Sequence, residues 1–151
     1  MTQQRDHSIK IKVVSIHDKS SAGYLSFDLL QILEAIGDLV RGYVWLVIDM
    51  DCVGPPIAPK TVFTFDQFIT LARQVDQTID ATIVGLPAAY LASTDLQSLG
   101  RIRDFPKEPA RIAILAVDSS YFDVITKDPS IADRIRTVFL DVRDQDPRNY
   151  F

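Results

Sequence analysis

Two carboxylates stand two residues apart in Asp49-Met50-Asp51-Cys52-Val53, directly after the unbroken apolar run Tyr43-Val44-Trp45-Leu46-Val47-Ile48. In an extended chain, residues i and i+2 share a face. At the C-terminal end of a buried strand such a pair can approach one Mg²⁺ through hard oxygen ligands, or divide the roles of nucleophile and general acid/base. A second polar cluster, Asp118-Ser119-Ser120 with Asp123, follows another apolar run, Ile112-Ala113-Ile114-Leu115-Ala116-Val117. A serine nucleophile needs a base, and the chain offers only His7 and His17. A triad of Ser119, His17 and Asp49 can be drawn, yet no Gly-x-Ser-x-Gly elbow accompanies it. One cysteine, Cys52, and two separated histidines cannot assemble a Cys/His zinc site, and the six glycines are too scattered for a phosphate-cradling loop. No cofactor is expected. The plainer reading of these acids is chain punctuation, since Asp caps helices and closes turns through nearby backbone N–H groups.

The pattern Asp-x-Asp-x-Val behind an apolar strand resembles the first motif of haloacid dehalogenase-type phosphotransferases. That resemblance implies Asp49 as nucleophile, Asp51 as general acid/base and Mg²⁺ held between them. Ser119 would then stand for the second motif, Lys127 for the third, and Asp141 with Asp144 for the closing acidic pair. The chain departs from the family in placing its motif after a strand and a helix instead of near the domain start, and in the spacing of the last pair.

Composition narrows the classes further. At 151 residues the chain is expected to form one globular domain, 1–151, with 1–7 and 143–151 as candidate flexible ends. Sixteen Lys and Arg against twenty Asp and Glu give a formal net charge of −4, which argues against nucleic-acid binding. All the acids except Glu34 and Glu108 are aspartates. A lone cysteine suits a reducing compartment, residues 2–8 read as polar with no signal-like apolar run, and 43–50 is far too short to cross a bilayer. A cytoplasmic protein without membrane association is expected.

The elements that must position the acids follow from periodicity. Residues 8–17 alternate as a half-buried strand, and 18–23 form a loop. Ser26 is expected to cap a broadly buried helix with Asp28 in its first turn, ending at Gly42. The 43–48 run then reads as a central strand, stopped by Gly54-Pro55-Pro56 and Pro59. Thr64 and Gln67 form a capping-box pair ahead of an amphipathic helix carrying Phe65, Phe68, Ile69, Ala72 and Val75. Residues 81–86 are a short buried strand and 88–109 have no clear periodicity. Residues 111–117 and 121–126 read as a hairpin about the Asp118-Ser119-Ser120 turn, before a last helix with Asp128 as N-cap and Pro129 at its first position. The expected fold is therefore α+β (mixed α/β): a mixed sheet of about five strands, some parallel, packed by three main helices. Trp45 is expected in its core, while Tyr150 and Phe151 either tuck back on the domain or dock on a neighbour.

The buried helix leading straight into Tyr43-Val44-Trp45-Leu46-Val47-Ile48-Asp49, within 27–54, resembles small bacterial proteins, as does Val117-Asp118-Ser119-Ser120-Tyr121-Phe122-Asp123-Val124 followed by Lys127-Asp128. Many of those are immunity proteins of polymorphic and contact-dependent toxin systems. The resemblance implies a single-domain, non-enzymatic inhibitor whose partner is a cognate protein toxin. An acidic surface suits that task, because opposite charge speeds association with a basic nuclease. The candidate partner-binding residues are Asp49, Asp51, Asp118 and Asp123, expected to emerge together at one rim of the sheet.

Overall fold

The computed structural model describes residues 10–151. Among the described residues seven strands make one sheet: β1 (Lys12–Ile16), β2 (Tyr43–Val53), β3 (Thr61–Thr64), β4 (Gln77–Pro87), β5 (Ile112–Val117), β6 (Tyr121–Thr126) and β7 (Val142–Gln145). Their spatial order is β3-β2-β4-β5-β6-β1-β7, and every neighbouring pair is antiparallel. Three helices, α1 (Leu29–Ile36), α2 (Phe65–Gln74) and α3 (Pro129–Val138), pack on one face.

The architecture is α+β, but with seven strands where about five were expected, and without parallel pairs. Each helix does join two strands that run the same way: α1 joins β1 to β2, α2 joins β3 to β4, and α3 joins β6 to β7. In every case at least one oppositely directed strand lies between the two, so like-directed strands never become neighbours. Alternation of strands and helices predicts relative direction correctly here and adjacency wrongly. The two apolar runs illustrate this. Trp45 of β2 and Ile114 of β5 share one core, yet β4 separates their strands.

The helix-side core holds Val14, Ile16, Trp45, Val47, Ile83, Ile112, Ile114, Phe122 and Val124 from the sheet against Leu29, Ile32, Leu33, Phe68, Ile131 and Ile135. Full burial of these side chains is worth roughly 1.5–3 kcal/mol each before chain entropy is counted. Helix α1 starts at Asp28, not Ser26. The Asp28 carboxylate accepts from Leu29 N at 2.7 Å, and its own N–H donates to Gln31 Oε1 at 2.7 Å, closing a capping box. The helix ends at Ile36, and a 3₁₀ turn (37–39) carries the chain on towards Gly42. Thr64 and Gln67 make the expected capping box on α2, and Asp128 caps α3 with Pro129 behind it.

The second face is covered by the stretch that lacked periodicity. Short 3₁₀ turns at 88–93, 96–98 and 102–107 lay Leu99, Phe105 and Ala110 on Val13, Leu46, Val84, Ala113 and Ile125. The end expected to be free at 143–151 is structured. It contributes edge strand β7, then a 3₁₀ turn (147–149), and Tyr150 packs on this same face. Residues 1–7, the other expected free end, and His7 lie outside the described residues, as does the start of the first expected strand.

Candidate functional site

Strand β2 does not stop at Ile48. It continues through Val53 because long β4 runs beside it, pairing Asp49 with Thr82, Met50 with Ala81 and Asp51 with Asp80. Asp49 and Asp51 are therefore inside a strand, beyond a bulge between Val47 and Asp49. Met50 packs on the helix-side core, so its neighbours Asp49 and Asp51 project from the second face. Both are exposed. Asp80, which the sequence reading did not single out, sits directly opposite Asp51 and is also exposed. Its carboxylate accepts from Asp118 N at 2.9 Å, which ties the β5–β6 turn to β4.

That turn places Asp118 and Ser119 at positive φ, 49° and 57°, with Ser120 N donating to Val117 O at 2.8 Å. Two left-handed central residues fit the twist of the flanking strands, and Asp tolerates the conformation better than most residues do. Asp51, Asp80 and Asp118 thus meet at one end of the second face, with Asp49 one step further in. None of these acids takes part in an ion pair among the described residues. Like charges directly across a strand pair cost roughly 0.2–1 kcal/mol.

Asp123 does not belong with them. Register follows Asp49, Thr82, Leu115, Asp123 and Ser15 across the sheet, so three inter-strand steps, about 14 Å, separate Asp49 from Asp123. Asp123 is 3% exposed, not a rim acid. Ser15 Oγ donates to one of its oxygens, and Tyr150 Oη donates to the other at 2.9 Å. Buried beside this carboxylate, the Tyr150 phenol has its pKa pushed well above the ordinary value, first by desolvation and then by the Asp123 charge. The expected rim patch of four acids is thus three of them plus Asp80.

The catalytic constellations do not assemble. Lys127 follows the end of β6 that is remote from the Asp118 turn, six residues and about 20 Å beyond Tyr121. It cannot join Asp49, Asp51 and Ser119. His17 stacks on Tyr121 with centroids 4.9 Å apart, and four inter-strand steps, about 19 Å, lie between its strand and that of Asp49. Its pKa is lowered, mainly by burial and next by Arg143. Cys52 has its thiol pKa raised by burial and then by Asp51 and Asp28, away from reactive thiolate character. Among the described residues no three His, Cys, Asp or Glu side chains converge as a metal site. A hollow of about 960 Å³ opens on the helix side between Leu33, Arg41, Tyr43, Phe65 and Arg73, and none of the four candidate acids borders it.

At the opposite end of the second face lies a group that the periodicity did not reveal. Lys127 is 5% exposed, and its ammonium donates to Glu108 O at 2.6 Å and sits 4.6 Å from the Phe105 ring centroid. Burial brings its pKa down to about 8, with a further push from Arg111 and partial opposition from Glu108. The Glu108 carboxyl is itself raised by burial. A base with a folded pKa below its ordinary 10.5 binds fewer protons folded than unfolded between those values. Stability should therefore rise as pH climbs past about 8, until ionisation of Cys52 and then of Tyr43 and Tyr150 in the unfolded state, each held protonated to higher pH by the fold, opposes the trend. Urea midpoints taken across pH 7–9 check this, and Lys127→Met should flatten the slope; a flat profile over that range for the unaltered chain would contradict it.

No helix among the described residues is long and apolar enough to cross a membrane. Comparison with known proteins finds no matching family model, no curated relative and no solved structure with a matching fold.

Proposed function

We propose that this chain is a non-enzymatic protein-binding domain, an immunity-type inhibitor that neutralises a cognate bacterial toxin in the cytoplasm through the acidic end of its second sheet face. The observation that carries the reading is the pairing of Asp51 with Asp80 directly across β2 and β4, beside Asp49 and Asp118. The Asp80 carboxylate holds the β5–β6 turn through Asp118 N, but setting a second carboxylate in register with it adds only repulsion to the fold. A basic partner does gain, through faster encounter and through like-charge rejection of wrong partners. The same net negative charge disfavours nucleic acid as the partner.

The test is capture of the purified product of the adjacent reading frame, followed by association kinetics at two salt concentrations. Asp51→Asn with Asp80→Asn should slow association by about three- to tenfold at low salt, with little effect at high salt. The same pair of changes should leave the stability of the isolated domain within about 0.5 kcal/mol of the unaltered chain, since relief of cross-strand repulsion is offset by a weaker acceptor at position 80 for Asp118 N. An association rate indifferent to both substitutions and to salt overturns the reading.

A further inference from the structure

The last two residues occupy a slot on the second face. Tyr150 hydrogen-bonds the buried Asp123 carboxylate, and its ring lies against the core formed by Val13, Leu46, Val84, Phe105 and Ile125. Phe151 stacks on Phe105 with centroids 6.2 Å apart and planes 14° from parallel. The segment leading into the slot is tied to itself. Asp146 caps its own turn and pairs with Arg148, while Asn149 and Tyr150 donate to the carbonyls of Asp146 and Pro147. The Tyr150 hydroxyl, set between Asp123 and Ser15, is where 146–151 hydrogen-bonds to the rest of the described residues.

The slot's polar floor is matched to a phenol. Ser15 Oγ donates to one Asp123 oxygen and the phenol donates to the other, so the carboxylate and the serine hydroxyl form a polar floor beneath an apolar wall. One polar bond and one ring stack can release while the sheet behind them stays folded. From this geometry we propose that the slot is a peptide-binding site, that Tyr150-Phe151 is its resident occupant, and that a partner segment presenting a phenol followed by a second aromatic ring displaces the tail. This inference rests on different residues from the acidic end and stands without that reading.

The probe is the hexapeptide of residues 146–151, DPRNYF, carrying a fluorophore at its N-terminus. In the 151-residue chain with Tyr150→Ala and Phe151→Ala the slot is vacated, and the peptide should bind saturably. Binding to the unaltered chain should be at least tenfold weaker, because the tethered tail competes at high effective concentration. A peptide with phenylalanine in place of its tyrosine should lose about tenfold in affinity, as expected for one hydrogen bond to a charged group. No saturable binding to a vacated chain that still melts cooperatively, or equal binding to both chains, overturns the proposal. Hydrogen exchange on the unaltered chain tests it independently of the variant's folding. The amides of Asn149 and Tyr150 should exchange at least a hundredfold faster than those of Asp123 and Val124, whereas equal protection means that the tail opens only with global unfolding and sinks the idea.

Discussion

Replacing Phe105 by alanine should lower unfolding stability by about 3–5 kcal/mol, the range for truncating a fully enclosed aromatic side chain. Phe105 has no exposed surface, and among the described residues it is the fully buried aromatic ring of the second face, with Tyr150 packed on the same cluster. It also holds two neighbours in place, the Lys127 ammonium and the Phe151 ring. Its loss leaves a cavity, removes the cation–π partner of a buried charge and loosens the tail together. Phe105→Leu keeps most of the bulk and should cost only about 1–1.5 kcal/mol. Denaturant midpoints of the two variants separate volume from aromatic character. A cost below about 1 kcal/mol for the alanine variant would mean that 88–110 is a loose cover contributing little to the fold.

The second large effect is expected at Asp28. Its carboxylate caps α1 and also accepts from both the N–H and the hydroxyl of Thr78 on β4, the former at 2.8 Å. Asp28→Ala removes a capping box worth about 1 kcal/mol and strands two donors of a residue that is 1% exposed, at roughly 1–3 kcal/mol. A total loss of about 2–4 kcal/mol follows, against a few tenths for Ser26→Ala, where the N-cap was first placed. Thermal melts of the two variants give the comparison, and equal losses would return the cap to Ser26. The buried donors of Thr78 require an acceptor, so Asp28→Asn should rescue only part of the loss.

The contrast between Ser26 and Asp28 has a local part and a distant part. Gln31 stands three residues after Asp28, the same capping-box spacing as Thr64 with Gln67, whereas Ser26 is followed at that position by Leu29. The second anchor, the Thr78 donor pair fifty residues away, lies outside any local window, while Thr64-Gln67 and Asp128-Pro129 carry their whole signal within four residues. The apolar runs at 43–48, 81–86, 112–117 and 121–126 also announced their strands, because burial on both faces leaves little choice of residue. Strands β3 and β7 were hidden for the opposite reason. As short edge strands they need no continuous apolar run, and Val142-Arg143-Asp144-Gln145 looks like any charged tail.

The acids divide along the same line. Asp49, Asp51 and Asp118 could be assigned to one end of the sheet because each follows a visible strand. Asp123 looked equivalent but alternates with Phe122 and Val124 on a strand flanked by β5 and β1, and Tyr150 covers it from the far end of the chain. Asp80 was missed because β4 was read as starting at Ala81. The alternation Thr78, Ile79, Asp80, Ala81 was the signal that could have extended it.

Strand β1 pairs Val14 with Val124 on one side and with Asp144 on the other. Strand β1 thus has no sheet partner until β6, roughly a hundred residues further along the chain, has been synthesised. During translation, β2, β3, α2 and β4 can associate early, while Val13, Val14 and Ile16 stay uncovered and sticky. Closure of this side of the sheet waits for β6 and β7, so the architecture favours a slow, late step in which the most sequence-distant contacts form.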